Sequence, residues 1–110
     1  MTLSPVIAVV DYGAGNLRSV AKALERSGMD VRVTDDSKIV SRADGVVLPG
    51  AGAFADAMTR LRSRGLEEAI LEGIAAKRPY LGLCLGLQLL FEESDEHGVN
   101  AGFGLIRGRV

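Results

Sequence analysis

The chain has 110 residues, of which 47% are hydrophobic and 25% charged, and its 13 basic and 14 acidic side chains leave a formal charge of −1. That length fits one modest domain, and the near-neutral balance gives no support for a nucleic-acid partner or an anionic membrane surface. No apolar run reaches the roughly 18 residues of a membrane span and no basic segment precedes the first apolar stretch, while the single cysteine cannot form an internal disulfide, so a reducing, cytoplasmic setting is expected.

Residues 6–11, VIAVVD, make a continuous apolar run of strand length that ends in a glycine-rich turn. Such runs suit a parallel strand covered on both faces. Leu17, Val20, Ala21 and Leu24 then recur at helical spacing, and Gly28 offers a stop. VRVT at 31–34 alternates, and GVVLP at 45–49 is a third strand cut by Pro49. Helices are expected over about 53–62 and 66–77, separated at Arg64-Gly65; RPYLGLC reads as a fourth strand and LGLQLLFEES as a helix. This alternation predicts an α/β fold, an open parallel sheet with helices on both faces. In such sheets ligands sit at the carboxyl ends of the strands, where the turns after Asp11, Pro49 and Cys84 all fall. AGFGLIRGRV resembles the start of further strands and stops at Val110 without a polar tail, so residues 1–110 are expected to be the N-terminal part of a single domain.

Gly82, Cys84 and Gly86 spell G-x-C-x-G. A strand-to-helix turn that displays a nucleophile needs small neighbours two residues either side, because side chains there collide in the strained elbow. The helix N-terminus that follows favours a thiolate. A buried, inert cysteine is the competing reading. With a helix starting near Cys84, Gln88 at i+4 and Glu92 at i+8 share its face, and an amide one turn above a nucleophile can both donate to and accept from a polar substrate. In LPGAGAF, residues 48–54, Gly50 and Gly52 let the backbone approach a ligand, and the N–H groups of Ala51, Gly52 and Leu85 are candidate oxyanion donors.

DYGAGNLRS, residues 11–19, supplies Gly13 and Gly15, but Arg18 stands where a dinucleotide fingerprint needs its third glycine; Asp35 and Asp36 keep that idea alive only as a ribose-acid spacing. Asn16 is a plain N-cap candidate. His97, the one histidine, lies in a polar stretch beyond the elbow helix, and no metal-ligand spacing is present, so neither a metal nor another cofactor is expected.

Taken together, DYGAGNLRSV, LPGAGAF and GLCLGLQLLFEESDEHG resemble the class I, or triad, glutamine amidotransferases across essentially the whole chain. The likeness is strongest to the glutaminase subunits that feed ammonia to a (β/α)₈-barrel cyclase in histidine biosynthesis. It implies a flavodoxin-like fold with Cys84 as the nucleophile on the glutamine carboxamide. It further implies Ala51 and Leu85 as oxyanion donors, Gly50 and Gly52 as the mobile, substrate-facing part of that loop, Gln88 and Glu96 as glutamine contacts, and Tyr12 and Asn16 facing the cyclase. The family completes its triad with a His-x-Glu pair that nothing here matches, so the segment alone is expected to be inactive. Two other readings stay open: a non-catalytic binding or assembly module, and a thiol hydrolase or redox sensor in which an acid such as Glu25 lies beside the cysteine.

Overall fold

A computed structural model describes residues 4–13, 17–95 and 98–110. Its first part alternates β1 (Val6–Val10), α1 (Leu17–Glu25), β2 (Asp30–Thr34), α2 (Ser37–Arg42), β3 (Gly45–Leu48), α3 (Phe54–Ser63), α4 (Leu66–Ala75) and β4 (Tyr80–Gly82). The strands form one parallel sheet in the order β2-β1-β3-β4, with Val9 in register with Val33 and Val47, and Leu48 with Gly82. β1 and β3 are the central strands, and β3 is buried along its whole length, which is why both read as unbroken apolar runs.

Pleating sends alternate side chains to opposite faces. Ala8, Val10, Val46 and Leu48 face a core built with Val40, Met58, Leu61 and Ile70 from α2, α3 and α4. Leu61 and Ile70 are fully buried, each contributing about 1.5–3 kcal/mol by area. On the other face, among the described residues, α1 is the helix that packs, and Val20, Leu24, Val47 and Leu81 line an apolar groove that leaves Leu81 half exposed. Gly28, at φ +85, and Gly65, at φ +70, punctuate the helices where the sequence placed breaks. Among the described residues no helix is long and apolar enough to cross a membrane.

Two elements differ from the sequence expectation. α2 was not anticipated: it is six residues long, capped by Asp36, whose carboxylate accepts from the Lys38 N–H at 2.9 Å, and tied at its end by the Arg78 guanidinium on the Ser41 carbonyl. Asp36 is therefore a helix cap, and Asp35 lies 3.9 Å from Arg64. The helix expected over LGLQLLFEES stops after one turn, α5 (Leu85–Gln88), and the chain enters β5 (Phe91–Ser94). β5 pairs with β6 (Asn100–Ala101) and β7 (Ile106–Arg109) in a second, three-stranded sheet. Returning chain takes the backbone that a longer helix would use: the Phe103 N–H donates to the Leu89 carbonyl at 2.8 Å and the Gly102 N–H to that of Glu92 at 2.9 Å. The expectation of further strands in AGFGLIRGRV holds.

Candidate active site

β4 ends at Gly82, and the Leu83 N–H donates across to the Leu48 carbonyl at 3.0 Å. The chain then turns sharply. Cys84 sits at φ 54°, ψ −112°, a conformation an L-residue adopts at a cost of about 1–3 kcal/mol. Leu87 and Gln88 return their N–H groups to the Cys84 carbonyl at 3.0 and 3.3 Å, so the helix begins directly behind the thiol. The flanking glycines are steric requirements. A Cβ on Gly82 would lie 2.5 Å from the Gly86 carbonyl oxygen, and one on Gly86 would lie 1.8 Å from that of Leu48. G-x-C-x-G is thus a strained elbow packed against the end of β3, with its thiol exposed and not in the core.

The loop after β3 lies against this elbow. The Leu85 N–H donates to the Gly50 carbonyl at 3.3 Å. Since the C=O and N–H of a trans peptide point in opposite directions, the Ala51 N–H is directed away from Leu85. Of the expected oxyanion donors, one is therefore engaged by protein and another points away from it. Gly52, at φ +104 with open space around its Cα, gives this loop its turning point.

Two phenols reach into this seam. Tyr12, expected on a partner-facing surface, is instead 1% exposed: its ring is in the core and its hydroxyl donates to the Pro49 carbonyl at 2.9 Å. Asp11 and Tyr12 continue from a buried strand, so the ring follows that strand inward. Tyr80, which opens β4, donates to the Gly86 carbonyl at 2.7 Å. Burial raises both phenols above their ordinary range; Arg60 partly offsets this for Tyr12, and Tyr12 adds to it for Tyr80. Arg60 also donates to the Gly13 carbonyl at 3.0 Å and pairs with Asp56 at 3.3 Å, joining the 11–13 turn to α3. The sequence reading missed Tyr80 and Arg60. For Tyr80 a signal existed, because a phenol inside an aliphatic strand needs a partner for its hydroxyl.

Gln88 closes α5, exposed and one turn beyond Cys84, as its spacing implied. Glu92 does not share that face: it lies on β5, where its carboxylate accepts from the Gly108 N–H at 3.1 Å. Glu25 ends α1, which runs back from the carboxyl edge of the sheet over nine residues, about 13 Å at 1.5 Å each, so it stands at the opposite edge from Cys84. That removes the acid the redox-sensor reading required. Asn16, Glu96 and His97 lie outside the described residues.

The family model "Glutamine amidotransferase class-I" matches residues 8–108. The imidazole glycerol phosphate synthase subunit HisH of Syntrophotalea carbinolica is 53% identical over 105 residues, 96% of this chain and 51% of the relative. The same subunit from Nostoc punctiforme is 55% identical over 106 residues, 96% of this chain and 50% of the relative. The chain thus spans about half the length of the curated relatives it matches. A crystal structure described as a glutamine amidotransferase superposes with a TM-score of 0.75 at 18% identity, over 93% of this chain and 54% of that one, a likeness of fold.

Proposed function

The chain belongs to the class-I glutamine amidotransferase family, and from that membership we propose that it is the N-terminal part, residues 1–110, of a single glutaminase domain: the glutaminase subunit of imidazole glycerol phosphate synthase, in histidine biosynthesis. The observation that carries the reading is the elbow, an exposed Cys84 at φ 54° between two glycines that admit no side chain, packed against a PGAG loop. Half-length identity to two such subunits supports the assignment to this branch.

In this reading the Cys84 thiolate attacks the δ-carboxamide carbon of L-glutamine. The C=O pair moves to oxygen, giving a tetrahedral oxyanion. Collapse expels the nitrogen, which takes a proton from the general acid and leaves as ammonia, and a glutamyl thioester remains on Cys84. Water, deprotonated by the same group now acting as base, then attacks the thioester carbonyl, releasing glutamate and the Cys84 thiolate and leaving that group protonated as at the start. The oxyanion is held by the N–H groups of Leu85 and of Ala51 or Gly52. Turning over the Gly50–Ala51 peptide withdraws the Gly50 carbonyl from the Leu85 N–H and brings the Ala51 N–H toward Cys84 in a single movement. Gln88 binds the substrate by its amide, and Glu96 is suited by charge to the substrate's amino group.

The acid/base group belongs to the half of the relatives that this chain does not span, so residues 1–110 alone turn over no glutamine. No cofactor takes part. The complete subunit works in the cytoplasm as a heterodimer with the cyclase barrel, to which ammonia passes, and Asn16 is a contact to that partner.

A glutamine-mimicking diazo ketone tests the assignment. In the full-length subunit with its partner it is expected to modify Cys84 and to stop ammonia release in step with modification. Inactivation with an unmodified Cys84 contradicts it. Steady glutamate release by the 110-residue chain, lost in Cys84→Ala, contradicts the claim that this segment is insufficient.

A further inference from the structure

Among the described residues, loop and elbow are joined by one backbone hydrogen bond, Leu85 N–H to the Gly50 carbonyl. On each side of it stands a carbonyl that regular secondary structure does not serve. Pro49, beside Gly50, follows the last residue of β3. Gly86, beside Leu85, belongs to a one-turn helix in which the Leu90 N–H goes to Leu87, at 3.2 Å, instead of back to Gly86. Tyr12 supplies the donor at Pro49 and Tyr80 the donor at Gly86. The absence of a side chain at Gly50 belongs to the same arrangement, because a Cβ there would lie 1.9 Å from the Tyr12 hydroxyl.

We propose that Tyr12 and Tyr80 are a pair of positioning residues for glutamine hydrolysis: their hydroxyls fix the peptide planes at Pro49 and Gly86, so that the peptide free to turn between loop and elbow is the one bearing the Ala51 N–H. Neither phenol touches the substrate. Tyr12 fixes the Pro49–Gly50 plane, next to the one that bears the Ala51 N–H, and Tyr80 fixes the Gly86–Leu87 plane, two along from the one that bears the Leu85 N–H. Burial keeps both phenols protonated, and therefore donors, across the working pH range. Donors aimed at developing charge act on the transition state more than on bound substrate, so losing their alignment lowers kcat and spares KM.

This inference rests on the glutaminase reading, and its test separates the two. In the full-length subunit with its cyclase partner, Tyr12→Phe and Tyr80→Phe keep the ring and remove only the hydroxyl. Each is expected to lower kcat for glutamine hydrolysis about 10-fold, since misplacement of about 1 Å costs up to 100-fold. KM is expected to stay within about twofold, and the diazo ketone is still expected to reach Cys84. The double variant should lose less than the product of the single losses, because both hydroxyls hold one seam. Phenylalanine variants with kcat within twofold of the parent overturn the proposal. So does a loss of kcat and KM together with a lowered melting temperature, which marks a merely structural role. A parent that neither hydrolyses glutamine nor labels at Cys84 overturns the glutaminase reading and this inference with it; that result is distinct from an active, labelled parent whose variants are equally active.

Discussion

Gly86→Ala puts the packing account of the elbow to its hardest test. The added methyl would stand 1.8 Å from the Leu48 carbonyl oxygen and 2.9 Å from its carbon. Ordinary contact begins near about 3.4 Å, so elbow and β3 must separate by roughly 1.6 Å, the difference between the two. The obstacle is backbone and has no rotamer by which to yield. Separation also breaks the Leu83 N–H bond to that same oxygen. Overpacking costs about 1–3 kcal/mol and a stranded buried hydrogen bond about 1–2 kcal/mol, so roughly 3 kcal/mol is expected. That is a large part of the stability of a domain this size, about 5–15 kcal/mol. With a urea m-value of about 2 kcal/mol/M, the unfolding midpoint should fall by about 1.5 M. Gly73→Ala is the internal control, the same chemical change inside α4 with nothing within 4 Å of the new methyl. It should raise stability by about 0.5–1 kcal/mol through helix propensity. A Gly86→Ala midpoint within about 0.3 M of the parent's, or equal losses in both variants, would refute the reasoning.

Cys84→Gly should remove thiol reactivity yet stabilise the chain by about 1 kcal/mol, because glycine tolerates φ 54° where an L-residue is strained; Cys84→Ala retains the strain and should melt like the parent. Thermal melts resolve this, since 1 kcal/mol moves Tm by about 4–8 °C at this size. The chain's two tyrosines should give less tyrosinate absorbance at pH 10 in the folded state than in urea, where both titrate near their ordinary value of 10.0. The sign follows from proton counting: above pH 10 the unfolded chain loses phenolic protons that the native chain keeps, so the stability present below pH 10 declines as pH rises. Reversible ionisation of both phenols at pH 10 in folded protein contradicts their burial.

How much was legible in the sequence varied with the range of the interactions involved. The central strands, the glycine stops and the elbow are local: an apolar run, a residue free to take positive φ, and small residues at fixed offsets each state their requirement within a few positions. α2 is too short to show a helical period, and it is held partly by Arg78, some 37 residues from Ser41. The end of α5 is set by chain that returns more than ten residues later. LGLQLLFEES is a fair helix by itself, and the bonds from Gly102 and Phe103 decide otherwise. Tyr12 shows the limit at the site. The family resemblance turns it toward a partner, and only the position of Pro49 reveals its ring as part of the core. The G-x-C-x-G and PGAG motifs could be paired in advance because both fall at strand ends; the hydrogen bond between Gly50 and Leu85 that now joins them could not.

The covalent intermediate tests the central claim most directly. The full-length subunit with its partner should be mixed with glutamine, quenched in acid during turnover, and mapped by mass spectrometry. The account predicts one glutamyl group in thioester linkage on the peptide containing Cys84, absent from Cys84→Ala, which should also release no ammonia. Undiminished glutamine hydrolysis by Cys84→Ala, or a glutamyl group carried by another residue, would contradict it.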